Sequence, residues 1–154
     1  MKLTNNFSLA EMTKSDTALR LDMDNTPGDE EIANLQALCE NVLQVVRDAY
    51  GVGVKVNSGF RHPDVNAAVG GSKTSDHCKG MAADIEIPGV ANADLAEWIV
   101  ENLEFRQVIL EFYTPGIPDS GWVHVSYNPN DNKKQVLTAM KENGKTVYKP
   151  GLIA

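Results

Sequence analysis

Two imidazoles and one carboxylate constrain this chain more than any other feature. His77 and Asp84 lie within Ser75-Asp76-His77-Cys78-Lys79-Gly80-Met81-Ala82-Ala83-Asp84, and His124 lies far downstream within Trp122-Val123-His124. For one cation to be gripped by all three, a loop and two distant strand segments must converge. A nitrogen and oxygen donor set of this kind suits zinc with a fourth position open to water, whereas an all-thiolate set marks a closed structural site. The chain has three histidines and two cysteines, so this grouping uses most of its imidazoles.

Local patterning says how the convergence arises. Gly80 lets the loop carrying His77 turn, and Asp84 alternates with the apolar positions of the strand that follows, so a loop histidine and a strand aspartate can meet. His124 lies between Val123 and Val125 and shares a strand face with Trp122 and Ser126. Each residue alone also has a plainer reading: His77 as an exposed loop histidine, Asp84 as a strand-edge acid, His124 as a satisfied core or edge residue. Cys78 follows His77 directly, but adjacent side chains in an irregular loop seldom point the same way, and it is not taken as a ligand.

At 154 residues and 42% hydrophobic content the chain suffices for one domain with a proper core and is too short for two, so residues 1–154 are expected to form a single domain. A formal charge of −7 without a basic stripe argues against nucleic acid, whose phosphates are met by clustered Lys and Arg. No stretch approaches the roughly 20 apolar residues of a membrane span, and Met1 to Ser8 lacks the apolar run of a secretory signal. Synthesis in the cytoplasm without membrane insertion is the expectation, as is a monomer. Neither spacing nor compartment favours a disulfide between Cys39 and Cys78, which are read as free thiols.

Ser8-Leu9-Ala10-Glu11 has the form of a capping box and predicts a short helix. After Thr26-Pro27, acids at Asp29, Glu30 and Glu31 precede apolar residues at three- and four-residue steps from Ile32 to Val46, predicting a long amphipathic helix ended by Gly51. Val52, Val54 and Val56 read as a strand, Asp64 to Val69 as a turn or two of helix, and Met81 to Ile87 as a second strand. Asn92 is expected to cap a helix running to about Leu103. Gln107 to Phe112 and Trp122 to Tyr127 read as strands around a Pro- and Gly-rich loop, and Val136 to Met140 pairs with Thr146 to Tyr148 across Asn143-Gly144, a hairpin signal. The sum is an α+β fold: one mainly antiparallel sheet with N-terminal helices packed on it.

The whole pattern resembles the zinc D-Ala-D-Ala peptidases, the M15-type family that includes bacterial carboxypeptidases, vancomycin-resistance dipeptidases and phage endolysins. Ser75-x-His77-x-x-Gly80-x-Ala82-x-Asp84 matches the family motif at every fixed position. Ser58-Gly59-Phe60-Arg61 is similar to its Ser-Gly-[Phe/Tyr]-Arg segment, and Trp122-Val123-His124 to its second zinc-histidine segment. The likeness runs in the right order over roughly residues 30 to 128, and implies the fold shared by hedgehog domains and D,D-peptidases.

By that resemblance His77, Asp84 and His124 are the zinc ligands. The cofactor is Zn²⁺, which would lower the pKa of a coordinated water toward ~7 and polarise the scissile carbonyl. Many relatives carry Asp or Glu three residues before the second zinc histidine, where this chain has Gly121. Glu111, at the end of the preceding strand, is therefore taken as the general base, as in the branch resembling hedgehog domains, with Asp119 as its rival. Arg61 is expected to bind substrate and stabilise the transition state, and Ser75 to bind substrate or cap a turn. His62, before Pro63, reads as a surface residue.

The implied activity is hydrolysis of an amide bond in peptidoglycan stem peptides or muropeptides by a phage or prophage endolysin, released to the host cell wall. A cytoplasmic D,D-carboxypeptidase or dipeptidase is a second enzymatic reading. The acid missing before His124 keeps open a third, a zinc-stabilised binding or virion protein without turnover.

Overall fold

The computed structural model, which describes residues 1–154, contains helices α1 (Leu9–Thr13), α2 (Asp16–Arg20), α3 (Asp29–Leu38), α4 (Gln44–Tyr50), α5 (Pro63–Ala68) and α6 (Asn92–Asn102). Its strands are β1 (Lys55–Ser58), β2 (Ala82–Glu86), β3 (Gln107–Glu111), β4 (Trp122–Ser126), β5 (Gln135–Glu142) and β6 (Lys145–Pro150). They form one sheet in the order β1-β2-β4-β3-β5-β6, antiparallel at every junction except β3 with β5. The fold is thus α+β and mainly antiparallel, as expected.

Period-two alternation decides which side of the sheet is covered. Ala83 and Ile85 of β2, Val108 and Leu110 of β3, and Val123 and Val125 of β4 join one buried cluster with Leu35, Leu38, Val42, Leu43 and Val46 from the N-terminal helices and Leu95 and Ile99 from α6. Burying an aliphatic side chain of this size contributes about 1.5–3 kcal/mol, so this face supplies most of the drive to fold. The intervening residues Asp84, Ile109, Glu111, Trp122 and His124 point to the other face, where a cleft of about 560 Å³ opens.

The helices follow their sequence signals with local differences. Ser8 Oγ accepts from Glu11 N–H at 3.1 Å, which completes the expected cap. The long helix runs from Asp29 to Tyr50 but is interrupted by a π-helical segment, Cys39–Leu43, and Gly51 closes it at φ +70°. An unforeseen short helix, α2, is capped by Ser15, whose Oγ accepts from Ala18 N–H. β1 begins only at Lys55, later than the Val52 to Val56 pattern implies, because Val52 and Gly53 are exposed and unpaired. Asn92 is not the cap of α6 but its first residue. Its buried side chain instead donates to Glu86 and to the carbonyls of Ser120 and Gly121, tying down the loop before β4.

The hairpin forms where Asn143-Gly144 places it, with Glu142 opposite Lys145 and both turn residues at positive φ, as a type I′ turn requires. Its partner was not legible: β5 docks beside β3 and parallel to it, with Gln135 N–H donating to Arg106 O. Both cysteines are free. Burial, and then the charges of Glu11 and Glu40, push the Cys39 thiol up to about 12, so it is an inert core residue. No helix is long and apolar enough to cross a membrane.

Candidate metal centre and its cleft

Asp84 and His124 are direct cross-strand partners in the β2–β4 ladder, on the same face, so strand register alone sets carboxylate beside imidazole. Asp84 Oδ1 lies 3.1 Å from His124 Nδ1. His77 arrives from the 3₁₀ turn Asp76–Lys79, its Nε2 3.2 Å from the same oxygen. The candidate ligand atoms of the three residues lie within 4.8 Å of one another, and the histidines are 2% and 8% exposed.

The tautomer of His77 is set by its other nitrogen. Nδ1 is 2.7 Å from the carbonyl of Gly59, which can only accept, so Nδ1 carries the proton. With Nδ1 protonated, Nε2 is the nitrogen left facing the Asp84 carboxylate. Two acceptors facing each other in a buried site need a proton or a cation between them, and a metal ion fits this donor set.

The charges point the same way. Burial alone would raise the Asp84 pKa, but the imidazoles of His77 and His124 override it and hold the carboxyl well below the usual carboxylate range. For His124 burial works downward, yet the hydrogen bond and charge of Asp84, helped by Glu111 and Asp76, raise it above its ordinary value.

The Ser58-Gly59-Phe60-Arg61 segment holds His77 in place. A side chain on Gly59 would overlap the Met12 carbonyl, which also accepts from Phe60 N–H at 2.7 Å, and Phe60 is buried in the core. This close approach of β1 to α1 aims the Gly59 carbonyl at His77. Arg61 N–H donates to the His77 carbonyl, and its side chain lines the cleft with a buried Nε that has no partner in the protein. Ser75 lines the cleft too, but its Oγ accepts from His77 N–H, so it acts as the cap of the turn.

The two candidate bases separate in space. Glu111 faces the metal cleft, whereas Asp119 is exposed and lines a different depression with Lys55 and Pro88. Trp122 Nε1–H donates to Glu111 Oε2 at 2.6 Å. Burial, and then repulsion from Asp84, push the Glu111 carboxyl above its ordinary value, with His124, Trp122 and Arg61 pulling it only partly back.

Gly121 explains why no acid stands three residues before His124. It sits at φ +63°, and a Cβ there would overlap the carbonyl oxygen of Glu111 and crowd the backbone of Phe112. The loop closes too tightly on the end of β3 to carry a side chain, and the neighbouring strand presents a carboxylate instead.

Some cleft residues went unread in the sequence. Asp76, at a variable position of the motif, accepts from Arg106 Nε at 3.1 Å, and Arg106 also pairs with Asp131, pinning the His77 turn to the start of β3 and to the loop before β5. Their only sequence signal is charge. Leu137 and Tyr148 reach the cleft from β5 and β6.

A family model, Peptidase M15, matches residues 5–126. Comparison with curated proteins yields no match. The matched span includes every candidate ligand as well as Arg61 and Glu111, and covers most of the chain: the protein belongs to the peptidase M15 family.

Proposed function

We propose that the protein is a zinc-dependent peptidase that hydrolyses an amide bond in peptidoglycan stem peptides, and that it serves as a phage or prophage endolysin, made in the cytoplasm and acting as a monomer on the cell wall. Family membership supports a peptidase. The observation that carries the metal chemistry is the buried convergence of His77, Asp84 and His124, with His77 Nε2 turned on a carboxylate.

In this reading His77, Asp84 and His124 hold the ion. When bound, zinc supplies Lewis acidity, which acidifies water and polarises a carbonyl. Glu111 is the proton carrier. The Trp122 indole fixes Oε2, so Oε1 is the atom left to take a proton from the attacking water and return it to the leaving amine. Its raised pKa suits both halves of that task better than an ordinary solvated carboxylate. Arg61, whose side chain lines the cleft, offers guanidinium donors to a substrate carboxylate or a developing oxyanion. Ser75 contributes by holding the His77 turn.

The acid absent before His124 is the feature that favours a protein without turnover. A carboxylate supplied by β3 to the same cleft favours catalysis. Digestion of purified peptidoglycan with zinc-loaded protein, followed by mass spectrometry of the new termini, tests activity and bond together. Identical digests with and without chelator would overturn the metal mechanism.

A further inference from the structure

We infer that the C-terminal hairpin, β5 with β6, builds a substrate subsite in which Tyr148 recognises a small, uncharged residue of an extended peptide about three positions from the scissile bond. This rests on the proposed peptidase activity. The hairpin lies beyond the family match, which stops at residue 126, so nothing in that match assigns it a role.

Strand register draws the subsite. One row across the cleft face reads Trp122, Glu111, Ala139, Tyr148, each the ladder partner of the next. The adjacent row reads Asp84, His124, Ile109, Leu137. The floor leading away from the metal group is therefore the aliphatic pair Ile109 and Leu137. Beside it Ala139 stands between Glu111 and Tyr148 in the ladder, fully buried and adding no bulk beyond a methyl group. The cleft runs continuously from Arg61 to Tyr148.

Tyr148 has the character of a contact waiting for a partner. Its side chain lies at the cleft wall, the residue is 55% exposed, and its hydroxyl makes no hydrogen bond within the protein. A large aromatic residue left in this state on an edge strand does little for the fold. An amphipathic ring beside an aliphatic floor can pack on a small side chain while its hydroxyl bonds a peptide carbonyl.

Distance sets the register of the substrate. Strands lie about 4.8 Å apart, so β6, three strands from β4, stands roughly 14 Å from His124. An extended peptide advances roughly 3.3 Å per residue, and the tyrosine ring reaches back toward the floor, which places its contact roughly three residues from the bond being cut. A dipeptide cannot span that interval. The subsite thus rewards a complete stem peptide over a truncated one.

The test compares zinc-loaded wild type with Tyr148→Ala on two substrates sharing one scissile bond, a muropeptide with its complete stem and the corresponding dipeptide. The ratio of kcat/KM between them is expected to fall roughly tenfold in the variant, through KM on the long substrate. Zinc content and melting temperature establish that the variant is folded and loaded. An unchanged ratio in such a variant overturns the subsite. If the wild type cleaves neither substrate, the peptidase reading has failed on its own, and calorimetric binding of the muropeptide decides the subsite: roughly tenfold weaker binding by Tyr148→Ala supports it, equal affinity overturns it.

Discussion

Val123 and Val125 point to one side of β4, Trp122 and His124 to the other, and the two faces are built on different physics. The covered face is a contiguous cluster of aliphatic side chains whose burial stabilises the fold without any partner. The open face gathers a carboxylate, a second acid and two imidazoles in a buried space, an arrangement that costs free energy until a cation or proton enters. Stability and chemistry are therefore separated by one residue step along each strand. A substitution at one position should affect folding, and at the next, turnover.

Metal removal is the largest test of that separation. Stripping zinc with a chelator should abolish hydrolysis while the far-UV circular dichroism at room temperature stays that of the folded protein, because the core lies on the opposite face. Loss of the folded spectrum on chelation would mean that the open face also holds the fold together.

Glu111 and Leu110 are neighbours in chain and opposite in role. Glu111→Gln should lower kcat by about 10²–10⁴ with zinc stoichiometry retained, since the amide cannot carry the proton. Leu110→Ala should instead cost about 2–5 kcal/mol of stability, read by denaturant unfolding, with kcat per folded molecule close to wild type. A comparable loss of kcat in Leu110→Ala would show that the faces are mechanically coupled.

This separation was readable in the sequence wherever one period governed it. Alternation in Ala82–Glu86 and Trp122–Ser126 already sets Asp84 and His124 apart from the valines and isoleucine beside them, and Asn143-Gly144 announces the hairpin through its need for positive φ. Strand order was not readable. The parallel docking of β5 on β3 depends on how the chain after Ser126 crosses the sheet, and no local propensity encodes a partner so distant in sequence. The cleft wall made by Leu137 and Tyr148 was missed for the same reason. Asp76 was missed because an acid at a variable motif position reads as solvated until Arg106 is seen beside it.

Gly121 sharpens the comparison at the join between the faces. Its positive φ and the overlap awaiting any Cβ predict that Gly121→Asp, which restores the acid common among relatives, destabilises the protein by about 1–3 kcal/mol. In a Glu111→Ala background it should not recover activity, because the loop must open to admit the new side chain. Recovery of hydrolysis in the double variant would show that the loop yields readily and that the placement of the base is not set by backbone crowding.

The smallest effect is on pH, and its sign follows from the open face alone. Asp84 has a folded pKa below its ordinary 3.8, so its contribution is present above that value and is lost only in strong acid. His124 has a folded pKa above its ordinary 6.5, so its contribution to the metal-free protein is complete below 6.5 and declines as pH rises through the higher folded value. Metal-free protein should therefore lose stability as pH climbs above 6.5. Zinc-loaded protein should gain relative to it over the same interval, because the proton that competes for the His124 nitrogen is leaving. Thermal melts with and without zinc across this range read both slopes, and His124→Gln should flatten the metal-free one. A metal-free slope that survives the substitution would place the titrating group elsewhere, and the covered face, which has no ionised side chain in its core cluster, could not supply it.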